Sequence, residues 1–277
     1  MRLLGWHIKN NMLRVVKILD IKTENPSVKT LFFRDEMCSS AGPGQFIMVW
    51  IPGIDEIPLS ISSTRPEGSS SITVAEVGEA TKALTRLNIG DLIGVRGPFG
   101  SSFKVTDGRA LVIGGGTGMA PLMMLINRLV EENVEVTVIE GAVDSSKLIF
   151  TEELKALSEN YGVRVFFTTE DGSYGVKGLA TNLAKKLLRR ERFNMIYTCG
   201  PEKMIRKVYN MARYYSVELQ TSLERYMRCA IGICGSCTIG KYRVCTDGPV
   251  FDMVRLREIE KYLGAYRYNE RGEKVPI

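Results

Sequence analysis

Two different rhythms of apolar and polar positions divide the chain. From Leu13 to about Lys104 the apolar runs are short and rich in β-branched residues, and turn residues separate them. The runs are LRVVKILDI, VKTLFF, QFIMVWI, SITVAEV and DLIGVRG, and the turns include NPS, AGPG and RPEGSSS. This pattern predicts an antiparallel sheet or a small β-barrel.

Beyond Asp107 strand-like runs alternate with amphipathic helical segments. The predicted strands are RALVIGG, EVTVIEG, VRVFFTT, NMIYTCG and ELQTSL; the predicted helices are APLMMLINRLVEE, IFTEELKALSENY, LATNLAKKLLRRE and EKMIRKVYNMARYY. Buried strands that alternate with helices predict a doubly wound parallel sheet. We therefore predict an α+β multidomain protein: a β-barrel over residues 1–104, an α/β parallel-sheet domain over 105–222, and a small cysteine-rich domain with a tail over 223–277.

Composition and charge narrow the class of protein. The chain has 277 residues, 44% of them hydrophobic and 25% charged, which is typical of a soluble protein of about two ordinary domains. The net charge of +6 is a mild basic excess. A basic cluster (Lys185, Lys186, Arg189, Arg190, Arg192) could contact nucleic acid. A solvated helix face is favoured because no aromatic residues interleave the cluster.

Location and mechanism classes follow from what the chain lacks. The segment from Met1 to Asn11 has no long apolar core, so no secretory signal is predicted. The glycines and Pro121 within the uncharged run 110–126 argue against a membrane span. We expect a cytoplasmic protein that binds neither membrane nor nucleic acid. The single histidine, His7, makes histidine acid–base chemistry an unsuitable mechanism.

A glycine-rich loop, VIGGGTGMAP, lies where the first α/β strand ends and its helix begins. Glycines 114, 115, 116 and 118 lack a Cβ, so the backbone can approach a phosphate, and a helix N-terminus offers free N–H groups. The spacing differs from G-x-G-x-x-G, so a tight turn without a ligand stays an alternative. The later segment YTCGP ends another strand of this sheet, where Cys199 is either a reactive thiol or a small buried hydrophobe.

Four of the six cysteines fall in one short segment. Their spacing, Cys229-x4-Cys234-x2-Cys237-x7-Cys245, matches the plant-type arrangement that holds a 2Fe–2S cluster. Glycines 232 and 235 would let the loop turn its N–H groups toward sulfur. A structural zinc site is the main alternative, although zinc sites favour paired C-x2-C knuckles. Disulfides are less favoured in a cytoplasmic protein.

The order of barrel, nucleotide sheet and cysteine segment resembles the electron transfer subunits of dihydroorotate dehydrogenase B, within the ferredoxin-reductase superfamily. The stretches that carry the resemblance are PGQFIMVWIPG, IPLSIS, VGEATKAL, GDLIGVRGPFG, GGGTGMAPL, TEDGSYGVKG, TCGP, SLERYMRCAIGICGSC and VCTDGPVF. They cover nearly the whole chain after the first dozen residues.

The resemblance implies three cofactors and a set of contacts for each. The barrel would bind FAD through Ile57, Pro58, Leu59 and Ser60, with Thr73, Val74 and Ala75 beside the flavin and Ala80 and Thr81 at the diphosphate. The α/β domain would bind NAD through Gly115, Gly116, Thr117, Gly118 and Met119, with Cys199, Gly200 and Pro201 near the nicotinamide. Cys229, Cys234, Cys237 and Cys245 would hold the 2Fe–2S cluster. Taken alone, IPLSIS would favour an edge strand opened by a proline.

The sequence departs from the family pattern at several positions. Ile57 stands where the superfamily usually has an arginine that holds the flavin phosphates, so Lys82 or backbone N–H groups would take over. Ala80 and Ala230 replace usual glycines, and both changes look mild. No arginine lies near Val143, so a 2′-phosphate would meet Asp144; this favours NAD over NADP.

The resemblance also implies a partner. A flavin links a two-electron carrier to a one-electron cluster, and the substrate would be oxidised elsewhere, on an FMN-containing dihydroorotate dehydrogenase catalytic subunit. Electrons would run from FMN through the cluster and FAD to NAD in a heterotetramer with two copies of each subunit. No catalytic acid–base residue is predicted in this chain. The alternatives are a subunit serving a sulfur reductase, a hydrogenase or ferredoxin, and a zinc-bearing NAD-binding regulatory module.

Overall fold

Six antiparallel strands close into a barrel in the computed structural model, which describes residues 10–65 and 67–277. The neighbours around the barrel are β1-β2-β5-β4-β3-β6, as the short apolar runs predicted. The strands and the two short helices between them are β1 Arg14–Asn25, β2 Val28–Arg34, α1 Glu36–Ser39, β3 Phe46–Ile51, β4 Asp55–Thr64, β5 Ser69–Ala75, α2 Glu79–Thr85 and β6 Leu92–Phe99. The prediction that there is no secretory signal concerned residues 1–11, most of which lie outside the described residues. His7 also lies outside them.

Strand β4 changes its partner halfway along. Residues 55–60 pair with β3, and residues 61–64 pair with β5. Across from the first half, β5 residues 73–75 pair only with β2. The strands β4 and β5 therefore part beside Pro58. A proline is tolerated at this position because one side of the strand needs no ladder hydrogen bond.

The second unit is a seven-stranded sheet in the order β10-β9-β8-β7-β11-β12-β15, parallel except at its last strand. Its elements are β7 Arg109–Gly115, α3 Met119–Glu131, β8 Glu135–Ala142, α4 Thr151–Tyr161, β9 Arg164–Thr169, β10 Val176–Lys177, α5 Ala180–Arg190, β11 Met195–Cys199, α6 Glu202–Tyr215 and β12 Glu218–Ser222. The apolar faces of the helices pack on both sides of the strands, which is the doubly wound arrangement predicted.

The cysteine segment is joined to this sheet. Strand β15 Val250–Asp252 pairs antiparallel with β12. The remaining elements are β13 Thr238–Ile239, β14 Tyr242–Arg243, α7 Val244–Asp247, α8 Met253–Glu258, β16 Tyr266–Tyr268 and β17 Lys274–Pro276. The last two strands form a C-terminal hairpin. The cysteine segment and the α/β unit share one apolar core, so the predicted boundary at residue 222 falls within packed structure.

A carboxylate cluster lies where the barrel meets the α/β unit. Lys22 pairs with Glu24 at 3.1 Å and with Glu153. Glu140, which is 1% exposed, accepts a hydrogen bond from the Ile149 N–H at 2.6 Å. Its second oxygen has no hydrogen-bond partner within the described residues. Burial, aided by the charges of Glu24 and Glu153, raises the pKa of Glu140 to about 8.

We predict that Glu140 makes the protein less stable as the pH rises. The folded protein keeps the Glu140 proton up to about pH 8, whereas the unfolded chain loses it near pH 4.5. The free energy of unfolding therefore falls between these values. The Glu140→Gln variant lacks this titration and should gain about 3–4 kcal/mol relative to the parent between pH 5 and pH 8. Urea denaturation at several pH values checks this. Glu159→Gln, on the exposed face of α4, should show no such trend, and a parallel response of the two variants would contradict the prediction.

Candidate functional site

The glycine loop is placed as its sequence predicted, between β7 and α3. Residues Gly116–Gly118 form one 3₁₀ turn, and α3 follows at once. Gly116 has φ +55° and open space where a Cβ would stand. Gly118 is different, because an added Cβ would lie 2.5 Å from the Cys199 carbonyl. Gly116 therefore leaves its backbone accessible, whereas Gly118 allows α3 to pack on β11.

A cavity of about 340 Å³ opens at the carboxyl ends of the parallel strands. Gly115, Gly116 and Pro201 line it, together with Gly141, Ala142, Val143, Lys147, Glu170, Leu179, Ala180, Thr181, Lys203, Met204 and Lys207. This is the edge of an open α/β sheet where ligands bind. Three lysines make the wall cationic, and the accessible backbone of Gly116 offers N–H groups. The residues present fit a dinucleotide phosphate group.

The acid that faces this cavity is Glu170. Asp144, which the sequence favoured, instead caps a short turn by accepting hydrogen bonds from the Ser146 N–H at 2.8 Å and hydroxyl at 2.6 Å. Asp144 is not among the lining residues, whereas Glu170 and Lys147 are. No local motif marks Glu170, because it lies after β9, 26 positions beyond Asp144.

A second cavity, of about 540 Å³, lies where β4 and β5 part. Ile57, Pro58, Leu59, Ser60, Thr73 and Ala75 line it from the barrel; Thr117, Ala120, Pro121 and Cys199 from the α/β unit; and Leu223, Glu224, Arg225, Met227, Pro249 and Arg267 from the C-terminal part. All three units therefore contribute to one cavity. The gap between the strands is a slot lined by small and apolar groups, which fits a planar isoalloxazine ring.

A third cavity of about 620 Å³ adjoins the second and shares eight lining residues with it. Ala80 and Thr81 line this cavity, with Gly78, Glu79 and residues 268–270 of the C-terminal hairpin. The Thr81 hydroxyl accepts hydrogen bonds from the N–H groups of Val77 (3.0 Å) and Gly78 (2.9 Å), so it fixes the start of α2. Lys82 lines a neighbouring cavity instead.

Four of the predicted contact residues line none of the three cavities described above. Val74 and Met119 are fully buried in the apolar cores. Gly118 and Gly200 bring the two loops together: a Cβ on Gly200, whose φ is +145°, would lie 2.9 Å from the Gly115 carbonyl oxygen. Their contact with a ligand stays a prediction, and their packing roles are what the structure describes.

Cys199 ends β11 and lines the strand gap. It is 1% exposed, and burial raises the pKa of its thiol well above the ordinary value. A thiol that stays protonated at neutral pH is a poor nucleophile. Of the two roles considered from the sequence, the small buried hydrophobe fits this environment.

The four clustered cysteines form two pairs. The Cys229 sulfur accepts hydrogen bonds from the N–H groups of Ile233 (3.4 Å) and Cys234 (3.5 Å). The Cys237 sulfur accepts one from the Cys245 N–H at 3.5 Å. Gly232 and Gly235, with φ +80° and +74°, make the tight turns. Ala230 also has a left-handed φ of +60°, so this replacement of a glycine costs about 1 kcal/mol.

The electrostatics favour the thiolate form at Cys234 and Cys237. Burial of the Cys234 thiol is outweighed by hydrogen bonds from Ser236 and Cys229, which lower its pKa to about 6. The hydrogen bond with Cys245 lowers the pKa of Cys237 to about 7, while it raises that of Cys245. All four are free of disulfides. Within the described ranges, no three His, Cys, Asp or Glu side chains converge closely enough for a single ion. Two cysteine pairs fit a two-iron cluster, which takes two thiolates on each iron.

The cysteine segment lies against the slot. Met227, two residues before Cys229, and Pro249, four residues after Cys245, both line the strand gap. Cys234 is exposed, and Ile233 is 78% exposed. The segment therefore reaches the slot at its two ends and the solvent at its first cysteine pair.

A basic groove of about 670 Å³ lies on α5 and α6. Lys185, Arg189, Arg190 and Arg192 line it with Tyr214 and Tyr215, whose rings are 4.9 Å apart. These tyrosines lie more than twenty positions from the basic cluster in the sequence, so the absence of aromatic residues within the cluster did not predict them. That nucleic acid does not bind stays a prediction. No helix in the described part of the chain is long and apolar enough to cross a membrane.

Comparisons with known proteins agree with this arrangement. Residues 112–210 match the oxidoreductase NAD-binding domain family, and residues 224–257 match the iron–sulfur cluster binding domain of dihydroorotate dehydrogenase B. The chain is 39% identical over 263 residues to a probable dihydroorotate dehydrogenase B (NAD(+)) electron transfer subunit of Methanocaldococcus jannaschii, covering 94% of this chain and 97% of that protein. It is 38% identical over 269 residues to the protein of the same name from Methanothermobacter thermautotrophicus, covering 96% and 98%.

A solved structure has the same architecture over most of its length. It is a chain of an NADH-dependent reduced ferredoxin-NADP oxidoreductase, described in connection with flavin-based electron bifurcation. The TM-score is 0.80 and the identity 30%, with 91% of this chain and 93% of that chain covered.

Proposed function

Because the chain belongs to the family of dihydroorotate dehydrogenase B electron transfer subunits, we propose that it passes electrons between NAD(H) and an FMN-containing catalytic subunit that oxidises dihydroorotate to orotate. The cofactors are NAD, FAD and a 2Fe–2S cluster. One observation carries the proposal. Leu59 of the barrel, Thr117 of the glycine loop and Met227 of the cysteine segment line the same cavity. A flavin bound in that cavity would lie next to both the NAD site and the cysteine segment that holds the cluster.

Each site is assigned to the residues that line it. We assign the flavin ring to the strand gap, beside Ile57–Ser60, Thr73 and Ala75, and the rest of FAD to the cavity next to Ala80 and Thr81. NAD is assigned to the cavity beside Gly115, Gly116 and Pro201, with its nicotinamide near Cys199. Cys229 and Cys234 would hold one iron, and Cys237 and Cys245 the other. We propose residues 1–104, 105–222 and 223–277 as the corresponding domains.

The chain's own residues position the reacting groups and exclude water. FAD, when bound, supplies the exchange between two-electron and one-electron carriers. Buried Cys199 and Pro121 make one wall of the slot apolar, and Met227 and Pro249 line it next to the cysteine segment. The exposed side of the pairs, at Cys234 and Ile233, is where the catalytic subunit would dock. We propose a cytoplasmic heterotetramer of two subunits of each kind.

Anaerobic titration of the purified chain with NADH tests the function. We expect flavin bleaching followed by an electron paramagnetic resonance signal from a reduced 2Fe–2S cluster. Colourless protein, or protein that carries zinc, would contradict the proposal. Co-expression with the catalytic subunit should give a complex in which NAD(+) is reduced at the expense of dihydroorotate, and native mass spectrometry gives the stoichiometry.

A ferredoxin is the second candidate partner. The 30% identity to the ferredoxin-NADP oxidoreductase chain over 91% of this chain favours it. NADH-linked reduction of ferredoxin by the isolated chain, without the catalytic subunit, would support this candidate. A requirement for the catalytic subunit would exclude it.

We predict that Glu170 contributes to the preference for NAD over NADP. A 2′-phosphate in this cavity would meet Lys147, Lys203 and Lys207, and Glu170 opposes it. The Glu170→Gln variant should bind NADPH about two- to fivefold more tightly, as expected for one partly exposed charge, with NADH affinity unchanged. Equilibrium titrations at low and high salt measure both affinities. Asp144→Asn is the comparison, and a larger effect there would mean that Asp144, and not Glu170, repels the 2′-phosphate.

A further inference from the structure

The flavin site has no cationic side chain at position 57, where the superfamily usually has an arginine that holds the FAD diphosphate. The diphosphate of FAD carries two negative charges at neutral pH, and Ile57, at the position where the superfamily usually has arginine, cannot donate to it. Lys82, the substitute suggested by the sequence, lines a separate cavity with Arg86. A buried or half-buried anion needs charge-assisted hydrogen bonds from elsewhere.

Only two cationic side chains line the two adjoining cavities of the flavin site, as far as the described residues go. They are Arg225 and Arg267, and each lines both cavities. The positive charge of Arg225 is already balanced by an ion pair. Its side chain is 1% exposed and bonds to both carboxylate oxygens of Glu202, one of them at 3.0 Å. Arg267 has no carboxylate within 4 Å among the described residues, and it is exposed.

The position of Arg267 is fixed by the C-terminal hairpin. It is the middle residue of β16 and pairs with Val275 of β17. The Tyr266 and Tyr268 rings pack edge to face at 5.9 Å. The hairpin loop is tied to the cysteine segment by a hydrogen bond from Arg228 to the Glu270 carbonyl. Tyr268, Asn269 and Val275 line the cavity that Ala80 and Thr81 also line. The hairpin strands β16 and β17 therefore hold the positive charge of Arg267 at the wall of the second and third cavities.

We propose that Arg267 binds the FAD diphosphate in place of the missing arginine at position 57, so that the C-terminal hairpin is part of the flavin site. The inference rests on the proposed function, because it takes the cleft to bind FAD.

Flavin binding to the full-length, flavin-depleted chain tests the assignment by fluorescence titration. Arg267→Gln should weaken FAD binding by about ten- to a hundredfold, the range for a lost charge-assisted hydrogen bond. Binding of riboflavin, which has no phosphate, should be unchanged, and this also shows that the variant is folded. Raised salt should weaken FAD binding more in the parent than in the variant.

Two further variants make the test specific. Arg271→Gln removes the same charge from the same hairpin, but Arg271 lines none of the cavities described above, so FAD should bind normally. Adding Ile57→Arg to the Arg267→Gln variant should restore FAD affinity. Unchanged FAD binding by Arg267→Gln, or equal loss of FAD and riboflavin, would overturn the assignment. If the parent binds neither flavin, the proposed function itself fails.

Discussion

Replacing Cys237 with serine is expected to abolish electron transfer to the catalytic subunit while NADH still reduces the flavin. Cys237 is 2% exposed and lies in the inner pair with Cys245. Serine does not supply a soft thiolate at neutral pH, so the iron assigned to Cys237 and Cys245 loses one of its two protein ligands. The loss should exceed the ~10–100-fold that removal of an outer partner of a metal ligand costs. Iron and sulfide content, the visible spectrum and the rate of NAD(+)-linked dihydroorotate oxidation measure it.

The control for this prediction is the Cys38→Ser variant. Cys38 is also buried and free, but it lies in the barrel core beside Asp35 and Arg14. This variant should keep iron, sulfide and turnover. Stopped-flow reduction of the flavin by NADH should proceed alike in both variants, which separates loss of the cluster from loss of fold. Full iron content and turnover in Cys237→Ser would contradict the assignment. Zinc in the parent would favour the regulatory module considered from the sequence.

The sequence supports the fold prediction best where apolar spacing is regular. Strands and helices such as β7, α3 and β11 follow from runs that alternate between buried strand and amphipathic helix. Strand β4 lacked that signal because Pro58 interrupts it, and apolar spacing does not show that its first half pairs with β3 and its second half with β5. Strand β15 has only three residues, and it exists because β12 offers it an edge.

The site was predictable to the extent that its chemistry is local. The cysteine spacing and the glycine loop are contiguous motifs, so their residues could be named in advance. Glu170, Arg225 and Arg267 reach the cavities from separate elements, and nothing in their own neighbourhood in the sequence marks them. Ile57 is visible in the sequence as a departure from the family pattern, whereas Arg267 is brought to the cavity only by the packing of the C-terminal hairpin.

Replacing Gly118 with alanine should damage both stability and hydride transfer. The new Cβ would lie 2.5 Å from the backbone C and O of Cys199 and from the Gly200 Cα, and backbone atoms cannot move aside cheaply. The start of α3 must then shift away from β11, which should lower the free energy of unfolding by about 1–3 kcal/mol. The loop bearing Thr117, in the flavin slot, would move relative to Pro201, in the nucleotide cavity. A misplacement of about 1 Å can cost ~10²-fold in rate.

Gly116→Ala is the matched comparison, because it adds the same methyl group two residues away. Its Cβ meets open space, so the stability cost is only the strain of φ +55°, about 1 kcal/mol. That open space is where the nucleotide is assigned, so this variant should weaken NADH binding without slowing the bound complex. Gly118→Ala should instead slow flavin reduction at saturating NADH. Stopped-flow traces over a range of NADH concentrations separate the two effects. If the two variants behave identically, the assignment of Gly118 to helix packing and of Gly116 to nucleotide contact is wrong.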